Sequence, residues 1–203
     1  MLFEYNLCVI ILPQPGIDQG IPLERVIFER YSLRRFSNKS LALHQISNLL
    51  WAAGGKSRRR RTIPSAGATY PLEFYLITGE NCVETLEGGI YLYEWEQHAL
   101  KLKKGGDFRK ELAVASLGQE FIIQAPASIL NSAKYERTTS HYGHRGIRYV
   151  HMEAGHACQN IHLEAGSLGL GTVVVGAFDD EELKAIVGIE EAPLALMPVG
   201  YPR

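Results

Sequence analysis

The sequence predicts an α+β fold in three layers, a sheet between two layers of helices. Three observations carry this. Strand-like runs lie next to one another at 72–78, 90–93 and 100–103, parted by turn signals at Gly88-Gly89 and Glu96-Gln97-His98. Segments with apolar residues at helical spacing stand before and after that block. The chain then closes on a helix followed by a strand, so helices and strands are mixed without the strict alternation of a parallel α/β fold.

Each element has its own signal. Residues 1–22 read as an irregular lead-in, "PQPGIDQGIP" at 13–22 being rich in turn formers. The apolar run at 7–12 has no basic residue before it. It is too short for a membrane span and lacks the layout of a signal peptide. Pro22 opens a helix that runs to about Arg30. A second helix covers 43–53, with Ile46, Leu49, Leu50 and Ala53 on one face. "GGKSRRRRTIPSAG" at 54–67 is a loop. After the three strands come a helical pattern at 107–123 and a strand at 127–131. The longest helix is expected at 149–168, where Ala154, Gly155, Ala157, Cys158, Ala165 and Gly166 predict close packing against another helix. Glycine at 169 stops it. A strand at 172–175, a helix at 180–187 capped by Asp179 with Glu182 three residues on, and a strand at 194–199 complete the chain.

At 203 residues, with 46% hydrophobic and 21% charged, the sequence suits one domain, 23–203. A net charge of −1 gives no general pull toward nucleic acid or an anionic membrane. Three cysteines, Cys8, Cys82 and Cys158, without a C-x-x-C, argue against a disulfide framework and for a reducing, cytoplasmic setting. "GSLGLG" at 166–171 fails as a dinucleotide fingerprint, because the order is helix, glycines, strand instead of strand, glycines, helix. The histidines lack zinc-site spacing, so no metal is expected. The arginines at 58–61 have no aromatic platform beside them and read as a solvated loop, from which one arginine could still reach an anion.

"ERYSLRRF" at 29–36 poses a sharper question. In an extended chain Arg30, Ser32 and Arg34 point one way, and on a helix Arg30 and Arg34 still share a face. Either geometry converges two guanidiniums, whose planar forks suit phosphate oxygens; a solvated helix end is the competing reading. "TIPSAGATYP" at 62–71 adds a tight turn of small residues that would let backbone approach a flat ligand.

Taken in order, "ERYSLRRF", "LLWAAGG", "PSAGATYPLEFYLITG", "GGIYLYEW", "HYGHRGIRYVHMEAGHACQNIHLEAGSLGLG" and "GAF" resemble the flavin-dependent nitroreductase superfamily, closest to its SagB-type branch, which includes thiazoline and oxazoline dehydrogenases. The resemblance runs from about Leu12 to Gly200. It implies a homodimer whose mostly antiparallel sheet is flanked by helices, with FMN at the interface. By the same resemblance Arg30 binds the phosphate with Ser32 near it, Tyr31 lies beside the ribityl chain, and Arg34 faces the flavin N1/C2 edge. Pro64, Ser65, Ala66 and Gly67 match the loop that the partner subunit lays on the cofactor. Gln119 meets the pyrimidine edge, and Val175, Gly176 and Ala177 match the segment whose backbone N–H groups meet N5 and O4. Many relatives carry a basic tail after "PVGY"; here either Arg203 alone fills that role or nothing does. Azoline-oxidising relatives carry Lys-Tyr where this chain has His141-Tyr142, so these two are the candidate catalytic residues and the strongly basic partner is gone. The expected activity is hydride transfer from NAD(P)H through FMN to a small electron-poor acceptor. Azoline oxidation and a non-catalytic flavin-binding scaffold are the alternatives.

Overall fold

The computed structural model describes residues 9–17 and 20–203. Cys8 lies outside the described residues. Among the described residues seven strands form one sheet: β1 Val9–Ile11, β2 Leu72–Thr78, β3 Gly89–Glu94, β4 Ala99–Gly105, β5 Ala127–Ala133, β6 Gly171–Thr172 and β7 Ala192–Gly200. Their order is β1-β4-β3-β2-β5-β7-β6, and every neighbouring pair is antiparallel. Strand β2 is covered on both sides, and its side chains alternate between two cores. Leu72, Phe74 and Leu76 enter one core with Ile46, Leu49 and Leu50 of α2 (Leu43–Gly54) and Val150, Ala157 and Ile161 of the long helix α6 (Arg145–Ser167). Tyr75 and Ile77 enter the other with Leu112 of α3 (Arg109–Ala115) and Leu183 and Val187 of α7 (Asp180–Val187). The three layers expected from the sequence are there.

Helix α1 spans Leu23–Glu29 after Pro22, as its proline predicts. Asp179 caps α7 by accepting from the Glu182 N–H at 2.9 Å. Small residues on α6 do permit close approach: a Cβ on Gly166 would come within 2.9 Å of Val26 in α1. No helix among the described residues is long and apolar enough to cross a membrane.

The structure departs from the sequence reading in several places. The lead-in is not irregular throughout, since Val9–Ile11 pairs with β4 as an edge strand and Leu12 is buried. Behind it the buried Ser47 Oγ donates to the Pro13 carbonyl and contacts His98 Nε2 at 2.7 Å, while the Tyr93 hydroxyl bonds His98 Nδ1 at 2.8 Å. The helical pattern at 107–123 is two helices, α3 and α4 (Phe121–Gln124), broken where Leu117 and Gly118 take φ of 58° and 74°. Most of the expected strand at 172–175 is irregular, keeping only β6 and a bridge from Val175 to Leu196. Helix α5, Glu136–Tyr142, has no counterpart in the sequence pattern, because "ERTTSHY" buries only Thr138 and so has no apolar stripe to read.

Candidate functional site

The segment that carries "ERYSLRRF" leaves α1 at Arg30 and runs between β6 and residues 201–203. Ser32 forms a parallel bridge with Thr172, and the Leu33 N–H donates to the Thr172 carbonyl at 2.9 Å. Phe36 bridges Pro202, and the Arg203 N–H donates to the Arg35 carbonyl at 3.2 Å. Leu33 and Phe36 point inward, so Arg30, Tyr31, Ser32, Arg34 and Arg35 are left exposed, with Arg203 tied beside them. Gly171 makes this seam possible: a Cβ there would fall 2.5 Å from Leu33 Cδ2. Glu29 pairs with Arg25 at 2.7 Å, and among the described residues no ion pair holds Arg30, Arg34 or Arg203. Arg30, Arg34 and Arg203 therefore stand exposed along one seam, outside any ion pair among the described residues.

A groove starts there. Arg30, Tyr31, His162 and Thr172 line a cleft of about 180 Å³. His162 also lines the next cleft, about 500 Å³, whose walls are His151, Gly155, Cys158 and Gln159 of α6 and, facing them, Val174, Gly176 and Phe178. The two clefts meet at His162 and follow α6 for about 20 Å, at about 1.5 Å per residue. Burial, and then the Arg30 charge, hold the His162 ring below the usual histidine pKa, so it is neutral at pH 7.

The far end is built from backbone. Val175 turns its side chain into the α3–α7 core, and its N–H and C=O are both taken by Leu196, at 2.8 and 2.9 Å. That pinning presents Gly176 and Ala177, both exposed. Neither N–H donates a hydrogen bond among the described residues. The side-chain amide of Gln119, placed by the break after α3, donates to the carbonyls of Ser116 at 2.9 Å and Ala177 at 3.1 Å. The structure thus brings Gln119 to Ala177, with Gly176 next to it in the chain.

Pro64, Ser65, Ala66 and Gly67 lie elsewhere in the subunit, in and before a short 3-10 turn at Ala66–Ala68. Gly67 has φ of 58°, and a Cβ on it would meet the Tyr142 hydroxyl at 2.6 Å. Tyr142 stands edge-on to His141 and Tyr149, with ring centroids 4.6 and 5.1 Å apart. The turn and the His141-Tyr142 pair form one cluster, and within one subunit none of them lines the groove of Arg30 and Gly176.

Two functional-looking residues escape the sequence reading. Arg58, Arg59 and Arg60 are exposed as expected, but Arg61 is only 7% exposed, so the run is not a uniformly solvated loop. Its guanidinium lies over the rings of Tyr70, Phe74 and Trp95 at 5.4, 6.0 and 4.9 Å, and its Nε donates to the Gly54 carbonyl. Glu153 of α6 is 2% exposed, and its Oε1 has no hydrogen-bond partner among the described residues. Burial pushes its carboxyl up to about 7, with a bond from Ser65 and the Arg61 charge acting the other way. A signal exists for Glu153: it is the only Asp, Glu, Lys or Arg between 149 and 163. Nothing in "RRRR" distinguishes its last member.

The sequence profile of the nitroreductase family matches residues 27–201. A protein of Methanocaldococcus jannaschii assigned as a nitroreductase is 48% identical over 188 residues, covering 92% of this chain and 93% of its own. The crystal structure of a protein of Ralstonia eutropha, also assigned as a nitroreductase, superposes with a TM-score of 0.83 at 29% identity, over 96% of this chain and 90% of that one. A chain of the Escherichia coli microcin synthetase McbBCD complex, solved with truncated pro-MccB17 bound, superposes at 0.76 with 25% identity, over 95% of this chain and 78% of that one. This last likeness falls on the SagB-type side of the superfamily.

Proposed function

The chain belongs to the nitroreductase family, and from that premise we propose that this oxidoreductase uses FMN to pass hydride from NAD(P)H to a small electron-poor acceptor. The observation that carries the reading is the chemistry of the groove ends. One end is lined by Arg30, with the exposed Arg34 and Arg203 on the seam beside it and no ion pair to any of the three among the described residues. The other is lined by Gly176, whose N–H and that of the adjacent Ala177 donate no hydrogen bond among the described residues. An elongated ligand with a phosphate at one end and ring acceptors at the other fits that polarity, and its length suits the run of α6.

In this reading Arg30 and Ser32 hold the phosphate, Tyr31 flanks the linker, and Arg34 faces the pyrimidine edge with Gln119. Bound FMN supplies a hydride-accepting and hydride-donating ring. The chain supplies charge: a fixed guanidinium near the edge that becomes anionic on reduction stabilises the reduced state. The Pro64–Gly67 turn and Tyr142 reach such a groove only if a second subunit presents them. A homodimer is therefore part of the proposal, supported by the exposed apolar face of Leu23, Ile27, Phe28 and Tyr31 beside the groove.

The direct test is the spectrum of purified protein before and after anaerobic NADH or NADPH. A yellow protein that releases FMN on denaturation and bleaches with reductant supports the proposal, and a colourless one that FMN cannot reconstitute sinks it. Arg30→Ala should weaken FMN binding about tenfold or more, the loss of one charge-assisted phosphate bond. Arg34→Ala should mainly lower the flavin reduction potential. Equal affinities with an unchanged potential would refute both roles.

Peptide azoline oxidation is the second reading, favoured by the likeness to the microcin synthetase chain. It needs a base to take a proton from carbon. His141, in place of lysine beside Tyr142, supports a phenolate poorly, so reductive chemistry ranks first. Assaying both activities on one preparation, with Tyr142→Phe alongside, separates the two.

A further inference from the structure

We infer that His151 is the acid that protonates the acceptor during its reduction, with Tyr135 as the positioning residue that commits one ring nitrogen and frees the other. The inference rests on the flavin reading of the groove. His151 lines the same cleft as Gly176 and Phe178, one turn before Gly155 on α6, at the end with the undonated N–H groups. His141 and Tyr142 do not line it. Of the two histidines that do, His162 stands at the junction with the Arg30 cleft, and His151 lies about three turns of α6 away from that junction.

The ring is held. Tyr135 Oη and His151 Nε2 are 2.5 Å apart, and the rings stand edge-to-face at 5.7 Å. Tyr135 is itself fixed between β5 and α5, where its carbonyl accepts from the N–H groups of Thr138 and Thr139. Burial, and then the Asp180 charge, raise the Tyr135 pKa, so the hydroxyl stays a neutral phenol and does not itself give up its proton. A phenol can donate to a bare Nε2 or accept from Nε2–H. Nε2 is therefore engaged in either protonation state of the ring, and Nδ1 is the nitrogen that exchanges protons.

The balance is simple for a quinone acceptor. A quinone that gains a hydride takes up two electrons and one proton, and its second oxygen still needs a proton. The protonated His151 ring supplies it: Nδ1–H breaks, O–H forms, and the neutral imidazole left keeps Nε2–H on Tyr135. Water then restores the proton at Nδ1. Ferricyanide takes electrons alone and needs no such acid.

The test compares anaerobic reoxidation of the reduced holoenzyme by menadione and by ferricyanide. His151→Gln should lower the menadione-to-ferricyanide rate ratio about 100-fold, the usual scale of a lost general acid. Tyr135→Phe should lower it by less. A readout independent of turnover is the nitrogen-15 spectrum of histidines in the apoprotein. The His151 Nε2 signal, assigned by its absence in His151→Gln and distinct from the His98 Nε2 held by Ser47, should carry the shift of a hydrogen-bonded nitrogen in the wild type and lose it in Tyr135→Phe, with folding checked by circular dichroism. A ratio within twofold of wild type in His151→Gln, or a spectrum that Tyr135→Phe leaves in place, overturns the inference while the flavin reading stands. Wild-type protein that takes up no FMN removes both.

Discussion

Arg61→Ala is expected to destabilise the fold by about 2–5 kcal/mol, the usual scale for truncating a large buried side chain to alanine. The side chain is 7% exposed, fills the space between Tyr70, Phe74 and Trp95, and satisfies the Gly54 carbonyl. Alanine would leave a cavity among three rings, an unpaired carbonyl and a Glu153 without its nearby cation. Local geometry leaves little room to collapse, since a Cβ on Gly54 would already meet Phe74 at 2.6 Å and Arg61 Nη2 at 2.7 Å. Arg61→Met keeps much of the stem packing and drops the charge, so it should cost clearly less. Urea midpoints at constant m-value measure both. A loss below about 1 kcal/mol for alanine would mean that the guanidinium is incidental to the fold.

Glu153→Gln has the opposite expected sign at high pH. The Glu153 carboxyl titrates at about 7 in the folded chain, against an ordinary glutamate value of 4.5. Its contribution is fully present below pH 4.5 and is lost as pH rises through 7, because the fold must then bury a charge. Removing the ionisable group should raise stability at pH 8 by up to about 3 kcal/mol, since each tenfold change in acidity between folded and unfolded chain is worth about 1.36 kcal/mol. Near pH 4.5 wild type and variant should converge. His98 and His162 have lowered pKa values and act the other way, costing stability as pH falls through the histidine range. They are common to both proteins, so the variant-minus-wild-type difference isolates Glu153. A difference that stays flat from about pH 5 to about pH 8 would mean that this carboxyl does not titrate in that window.

Strong local patterning decided what the sequence disclosed. The run at 72–78 matches β2 to the residue, because continuous apolar burial bounded by proline and glycine has few other solutions. Asp179 and Glu182 announced α7 through their own chemistry. The break inside 107–123 stayed hidden because Leu117 adopts a left-handed φ that leucine does not advertise. Helix α5 stayed hidden because tertiary contact, and not amphipathicity, holds it against α6. At the site, "ERYSLRRF" and "GAF" were legible as a family pattern, and the structure does bring Gln119 to Ala177. Arg61 was not legible, since burial of one arginine in a row of four depends on aromatic rings far off in sequence.

The bridge between Ser32 and Thr172 joins points with more than half the chain between them, and Phe36 with Pro202 spans further still. Closing so long a loop is unfavourable until other contacts have already shortened it, so the seam should form late on the folding path. The sheet from β4 through β7 can assemble from shorter-range pairings first. The arginine row would then be the last part of the groove to acquire its shape, and an anion would meet a nearly finished protein. A ligand that arrives so late cannot template the core; it can only hold the final seam shut.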